Sequence, residues 1–227
     1  VFKRILMAGW LLPWRFACLF FALFGANIAV AGQIEVLVVD PDGQPVPEVA
    51  VFIEQAGISA VTDRAPAPAV MDQRDVRFVP HILIVEKGAE VEFPNSDVIA
   101  HHVYSFSRPN NFVLPLYKGT PPNPVHFMHD GIVTLGCNIH DGMLGYVVVV
   151  DTEVFGLTDA RGTVVLSVDD RAGGYEINIW SPRIRDSSGP LAQSITSIPP
   201  GGVRFELKKT LRPPHAGESE SVQWDEY

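Results

Sequence analysis

Cysteine is almost missing from this sequence: its 227 residues contain two, Cys18 and Cys137. That excludes a scaffold held by several disulfides and any structural zinc site built on paired Cys-x-x-Cys motifs. Methionine is equally scarce, with four in the chain, so no Met-rich stretch exists. His-x-His pairs, a Gly-rich phosphate loop and a Gly-x-Ser-x-Gly elbow are all absent, which leaves multinuclear copper clusters, P-loop nucleotide chemistry and α/β-hydrolase catalysis without their signatures. Basic charge is in short supply too, at 17 Lys and Arg against 26 Asp and Glu. An acidic chain is a poor partner for nucleic acid.

What is present begins with a basic and apolar segment, VFKRILMAGWLLPWRFACLFFALFGANIAVAG. Lys3, Arg4 and Arg15 precede or interrupt an apolar run that ends in Ala29-Val30-Ala31. This reads as a secretory signal peptide over residues 1–31. Export to the periplasm is the expectation, with no membrane attachment after cleavage. Removing the leader leaves 14 basic against 26 acidic residues, a net charge of −12. It also removes Cys18, so the exported chain keeps one thiol, Cys137, in a compartment that favours disulfides. An unpaired thiol there calls for a chemical role.

Downstream of the leader, helical periodicity is nearly absent. IEVLVVDPDGQPVPEVAVFIEQ reads as two apolar runs about an Asp-Pro-Asp-Gly turn, a hairpin signal. TDRAPAPAV reads as a linker. VRFVPHILIVEKG, AEVEFPN, HHVYSF, HDGIVTLG and LGYVVVVD are strand candidates rich in β-branched and aromatic residues. Short strands at this spacing predict an antiparallel sandwich over 71–151. SRPNNFVLPLYKGTPPNPV reads as a long Pro-rich connection that covers one end of it. Strand and turn patterns continue through VFGLTDARGTVVLSVDDRAGGYEINIWSPRI and GGVRFELK, and RPPHAGESESVQWDEY, within 211–227, reads as a disordered tail.

The chemistry is concentrated in GIVTLGCNIHDGMLGYVVVV, where Cys137, His140 and Met143 share one short loop between two strands. Thiolate and thioether suit reduced copper, imidazole suits both oxidation states, and a trigonal His₂Cys set with a weak axial Met suits electron transfer. The loop offers one histidine, so the second must come from another strand. NSDVIAHHVYSF supplies His101 and His102.

The order FPN, His, Cys-x-x-His-x-x-Met resembles the cupredoxins, and the loop spacing is similar to that of the amicyanins. RFVPHILIVEKGAEVEFPNSD, HHVYSFS and TLGCNIHDGMLGY most resemble the cupredoxin-like group called methylamine utilization proteins. The resemblance covers residues 71–151. It implies an all-β Greek-key sandwich and one mononuclear copper held by His101, Cys137, His140 and axial Met143, with His140 as the port for electrons. Two positions depart from the pattern: His102 stands where many cupredoxins have Asn, and Asp141 where the amicyanins have Pro. The segments at 33–70 and 152–210 resemble the two halves of a carboxypeptidase-regulatory-like sandwich. The copper block is then either inserted in that sandwich or flanked by a second domain.

The function expected is single-electron transfer between redox partner proteins, without catalysis. Copper delivery and metal-free recognition by a β-sandwich are the alternatives. Cys137 as an inert buried thiol and Met143 as a core filler remain the bland readings. His102 is expected beside the metal or at the surface, and His81, His126, His129 and His215 in turns or at the surface.

Overall fold

A computed structural model of this protein describes residues 31–57, 65–170, 172–185 and 189–213. Residues 1–30 of the leader, the first part of the TDRAPAPAV segment and the tail beyond 213, with His215, lie outside the described residues.

Those residues form strands and no helix. The first nine are β1 (Ala31–Val39), β2 (Ala50–Gln55), β3 (Ala69–Val70), β4 (Asp72–Arg74), β5 (Arg77–Val79), β6 (Ile82–Glu86), β7 (Ala89–Glu92), β8 (His101–Ser105) and β9 (Phe112–Tyr117). There follow β10 (Val125–Phe127), β11 (Gly131–Gly136), β12 (Leu144–Val150), β13 (Phe155–Leu157), β14 (Thr163–Asp169), β15 (Tyr175–Trp180), β16 (Leu191–Ile195) and β17 (Val203–Glu206).

Two sheets enclose the central block. One has the order β6-β12-β11-β8-β9 and the other β10-β7-β3. Alternation decides what lies between them: in β7, Ala89 and Val91 are buried while Glu90 and Glu92 face solvent. Val103, Phe127, Val133, Leu135, Val147 and Val149 complete the same core, which includes Cys137 and Met143. The block is a two-sheet β-sandwich.

The segments on either side of this block pair with each other. β1 runs antiparallel to β14 and parallel to β17, and β2 lies between β13 and β15. Ile34, Val36, Val51 and Ile53 share one core with Leu166, Ile177, Ile179 and Phe205.

Two local readings are corrected. The IEVLVVDPDGQPVPEVAVFIEQ segment is not a hairpin, because β1 and β2 belong to different sheets. Asp40 does make the turn, its carboxylate accepting from Asp42 N–H and Gln44 N–H. Pro45 and Pro47 then supply no N–H to a ladder, and the chain crosses to the other sheet. The Pro-rich connection likewise contains β9, an antiparallel edge partner of β8. Pro115 is tolerated there because an edge strand has one side without a ladder to donate to.

β12 is buried along nearly its whole length, and the reason is a third cluster of side chains. Val147 and Val149 face the central core, while Tyr146, Val148 and Val150 face the opposite way. There they pack with Ile82 and Ile84 against Ala50, Phe52, Phe155, Leu157 and Trp180 of the flanking strands. The continuous apolar run LGYVVVV is what a strand covered on both faces requires.

Because Val148 is 1% exposed within that shared layer, Val148→Ala is expected to cost about 2 kcal/mol through lost burial and an unfilled cavity. Chemical denaturation should show one cooperative transition shifted as a whole. Separate transitions for the central and flanking strands would contradict the shared layer.

Candidate metal centre

The site forms where three loops meet at one end of the central block. Asn95, 6% exposed, organises the first of them. Its side-chain N–H groups donate to Ile99 O and Tyr117 O, both at 2.9 Å, and its Oδ1 accepts from Asp97 N–H at 3.0 Å. This ties the β7–β8 connection to β9 and delivers His101 to the start of β8. His101 is completely buried there. His102, one residue on, is partly buried and packs beside Tyr104 at a ring distance of 5.6 Å. Successive side chains of a strand face opposite ways, so the pattern of burial along β8 alternates.

Cys137 follows β11 directly and is 7% exposed. At Gly136 before it, a Cβ would lie 2.9 Å from the Tyr104 ring carbon and hydroxyl, so a larger residue would push that ring aside. The loop turns back through Gly142 at φ +82°, a backbone that glycine adopts without steric cost. Met143 N–H donates to His140 O at 3.3 Å, and the Met143 side chain is 2% exposed in the same core as Cys137.

Three donor atoms converge. His101 Nδ1 and His140 Nδ1 are 3.1 Å apart, Cys137 Sγ lies 3.6 Å from His140 Nδ1 and 4.0 Å from His101 Nδ1. Among the described residues this is the group of His, Cys, Asp or Glu side chains placed to hold an ion. These edges are short enough for one ion to be reached by all three donors with metal bonds of about 2.0 Å to nitrogen and about 2.3 Å to sulfur. Two imidazole nitrogens and one thiolate sulfur are a donor set that would suit copper. The residues present fit a copper ion in size and in donor chemistry.

The remaining ring nitrogen of His101, Nε2, meets Asp97 Oδ2 at 2.7 Å. Burial pushes the Asp97 carboxyl up, but hydrogen bonds from Val76 N–H, His101 and Asp75 N–H outweigh it and hold the group below its ordinary value. Asp97 therefore stays ionised near neutral pH. His140 is the less buried of the two histidines, and Ile139 beside it is 51% exposed. His81 packs edge-on against Tyr146, and His126 sits 3.7 Å from Glu90 at the surface.

Sequence reasoning missed three residues that shape the site: Asp97, Asn95 and Tyr117. The Asn-Ser-Asp turn four residues before His101 carried the signal for the first two. Tyr117 donates to Phe93 O at 2.6 Å and accepts from the Gln73 side chain, which no local pattern reveals.

No family model matches the sequence, and no curated protein matches it. Solved structures similar to it include a reduced copper(I) form of an amicyanin variant, 24% identical over 44% of this chain and 98% of that one, with a TM-score of 0.33. A copper-containing nitrite reductase from Thermus scotoductus is 24% identical over 50% of this chain and 28% of that one, with a TM-score of 0.35. A purple cupredoxin from Nitrosopumilus maritimus is 18% identical over 37% of this chain and all of that one, with a TM-score of 0.32. At these values the metal reading rests on the three donor atoms.

Burial drives the Tyr117 hydroxyl up to about 12, with Asp72 and Cys137 adding to the shift and the Gln73 hydrogen bond opposing it. A folded value above the unfolded one means stability that is complete below pH ~10 and lost as pH rises through 12. Burial, with Asp170 and Asp169, raises Tyr175 as well, so alkaline titration of phenolate absorbance should show a late component that accompanies unfolding. That component should shrink by one tyrosine in Tyr117→Phe.

Proposed function

We propose that this protein is a periplasmic copper protein that carries single electrons between partner proteins, and that His101, Cys137, His140 and Met143 would hold the copper. The observation that carries the reading is the triangle of two imidazole nitrogens and one thiol sulfur, 3.1 to 4.0 Å apart, a donor set that one copper ion would suit. Bound copper supplies one-electron chemistry, cycling between its two common oxidation states. The protein's part is to keep the donors still while it does so. His101 and Cys137 are anchored at strand ends, and β8, β11 and β12 are ladder neighbours in one sheet, so the donor set has little freedom to rearrange.

His140 is the proposed port for electrons. Around this end of the block Ile139, Val98 and Ile99 are exposed at 51%, 87% and 41%, an apolar surround that supports brief docking of a redox partner. The acidic balance of the chain favours a partner with basic groups at the rim. The basic, apolar leader ending in Ala29-Val30-Ala31 supports export. We further take residues 71–151 as a copper domain inserted into a sandwich made from 33–70 and 152–210, a division supported by the pairing of β1 and β2 with strands beyond residue 154.

Titration with cupric ion is expected to load one copper per chain and to give intense visible colour, which needs the Cys137 thiolate for strong charge transfer. Cys137→Ser should lose that colour and bind far more weakly. Equal stoichiometry and colour in the variant would refute the assignment. His140→Gly should keep the fold and slow electron exchange with small inorganic oxidants.

A further inference from the structure

β4 and β5 are joined by a two-residue turn, Asp75–Val76, since Arg74 pairs with Arg77. Both turn residues have left-handed backbones, with φ of 53° and 57°. Hairpin turns of this kind favour Asn-Gly or Asp-Gly, and a β-branched residue at the second position is an outlier. Such strain persists only where surrounding contacts over-determine it, and it clusters at functional sites.

The contacts that hold this turn are made by one carboxylate. Asp97 Oδ1 accepts from Asp75 N–H at 2.7 Å, and Asp97 Oδ2 accepts from Val76 N–H at 3.0 Å. The same Oδ2 lies 2.7 Å from Nε2 of His101. We propose that the Asp75–Val76 turn belongs to the metal site: acting through Asp97, it holds His101 in the tautomer and orientation that turn the Nδ1 lone pair toward Cys137 and His140. This rests on the metal-site reading above.

Both Asp97 oxygens already accept backbone N–H groups, so in the 2.7 Å contact the ring donates from Nε2. A neutral imidazole carries one N–H, which leaves Nδ1 as an unprotonated donor atom for a metal. Two adjacent backbone N–H groups pointing into one concavity form an anion nest. Closing that nest on Asp97 demands the paired left-handed geometry even of valine. The carboxylate cannot swing away either. Ser96 N–H donates to Gln73 O at 3.0 Å and to Asp72 Oδ1 at 3.2 Å, and Gln73 N–H donates to Pro94 O at 3.0 Å. The β4–β5 hairpin and the loop carrying Asp97 are thus one bonded unit. Asp97 and Val76 are positioning residues, and Val76 is 36% exposed, so the device reaches the surface of the molecule.

Two readouts on the metal-free full chain test this without copper: nitrogen NMR of the His101 ring and hydrogen exchange of the Asp75 and Val76 amides. The native chain is expected to show His101 as the Nε2–H form and both amides protected despite their place in a surface turn. Asp97→Ala should mix the ring tautomers and speed exchange of both amides at least tenfold. On metal addition it should weaken cupric ion binding about 10- to 100-fold, the usual cost of losing a partner of a ligand histidine. Val76→Gly keeps both N–H donors and should behave as native, whereas inserting two glycines between Asp75 and Val76 should reproduce the loss. A native His101 in the Nδ1–H form overturns the proposal, as does an Asp97→Ala chain with native tautomer and native exchange. If Asp97→Ala fails to fold, the glycine insertion and the native chain decide in its place. A native chain that shows the tautomer and the protection yet takes up no copper refutes the copper reading and leaves the positioning device standing.

Discussion

A fully buried imidazole needs something to do with both of its nitrogens, and His101 is the residue on which this end of the molecule is organised. Leaving either nitrogen unpaired in an apolar core would cost on the order of 1–3 kcal/mol. Nε2 is met by Asp97, and Nδ1 faces two other donor atoms, His140 Nδ1 and Cys137 Sγ. An ion that accepts lone pairs from all three satisfies the whole set at once. The polar cluster and the fold around it therefore stabilise each other, because the strands that bury His101 also bring in its partners.

The rest of the block serves that arrangement. Asn95 binds the ligand loop to β9, and Tyr117 on β9 reaches back to Phe93 and Gln73. Asn95 and Tyr117 thus link the loop that carries His101 to an edge strand, and an edge strand is the part of a sheet most prone to fray. Beyond the block, the layer of Tyr146, Val148, Val150, Phe52 and Trp180 covers the outer face of β6 and β12. It leaves the end carrying His140, Ile139 and Val98 open to solvent. Rigidity on one side and access on the other are what a centre needs if it is to change charge without rearranging.

A loop between two strands carrying Cys137 and His140 was legible in the sequence because these residues and Met143 lie within seven residues and their chemistry is local. The all-strand character was legible as well, since β-branched alternation and Gly-Pro punctuation act over a few residues. The alternation of β8 followed from the same rule, which assigns His101 and His102 to opposite faces. Misreadings came where a long-range partner mattered. The prolines in SRPNNFVLPLYKGTPPNPV suggested a loop, but β9 is acceptable as a strand because it lies at an edge. The Asp-Pro-Asp-Gly turn suggested a hairpin, but which sheet receives β2 is settled by β13 and β15, a hundred residues away.

By itself, then, the sequence determined the donor types, their spacing in one loop and the strand period around them, because each of these is set by covalent neighbours. Only the tertiary structure decided that His101 meets that loop at 3.1 Å, that Asp97 holds its far nitrogen, and that the strained turn at Val76 grips the same carboxylate. The first and last of these contacts join residues 39 and 21 positions apart, and the second, four residues apart, is set by the fold of the loop between them. Their geometry depends on how two sheets and three loops close around a common core, which no local pattern in the chain encodes.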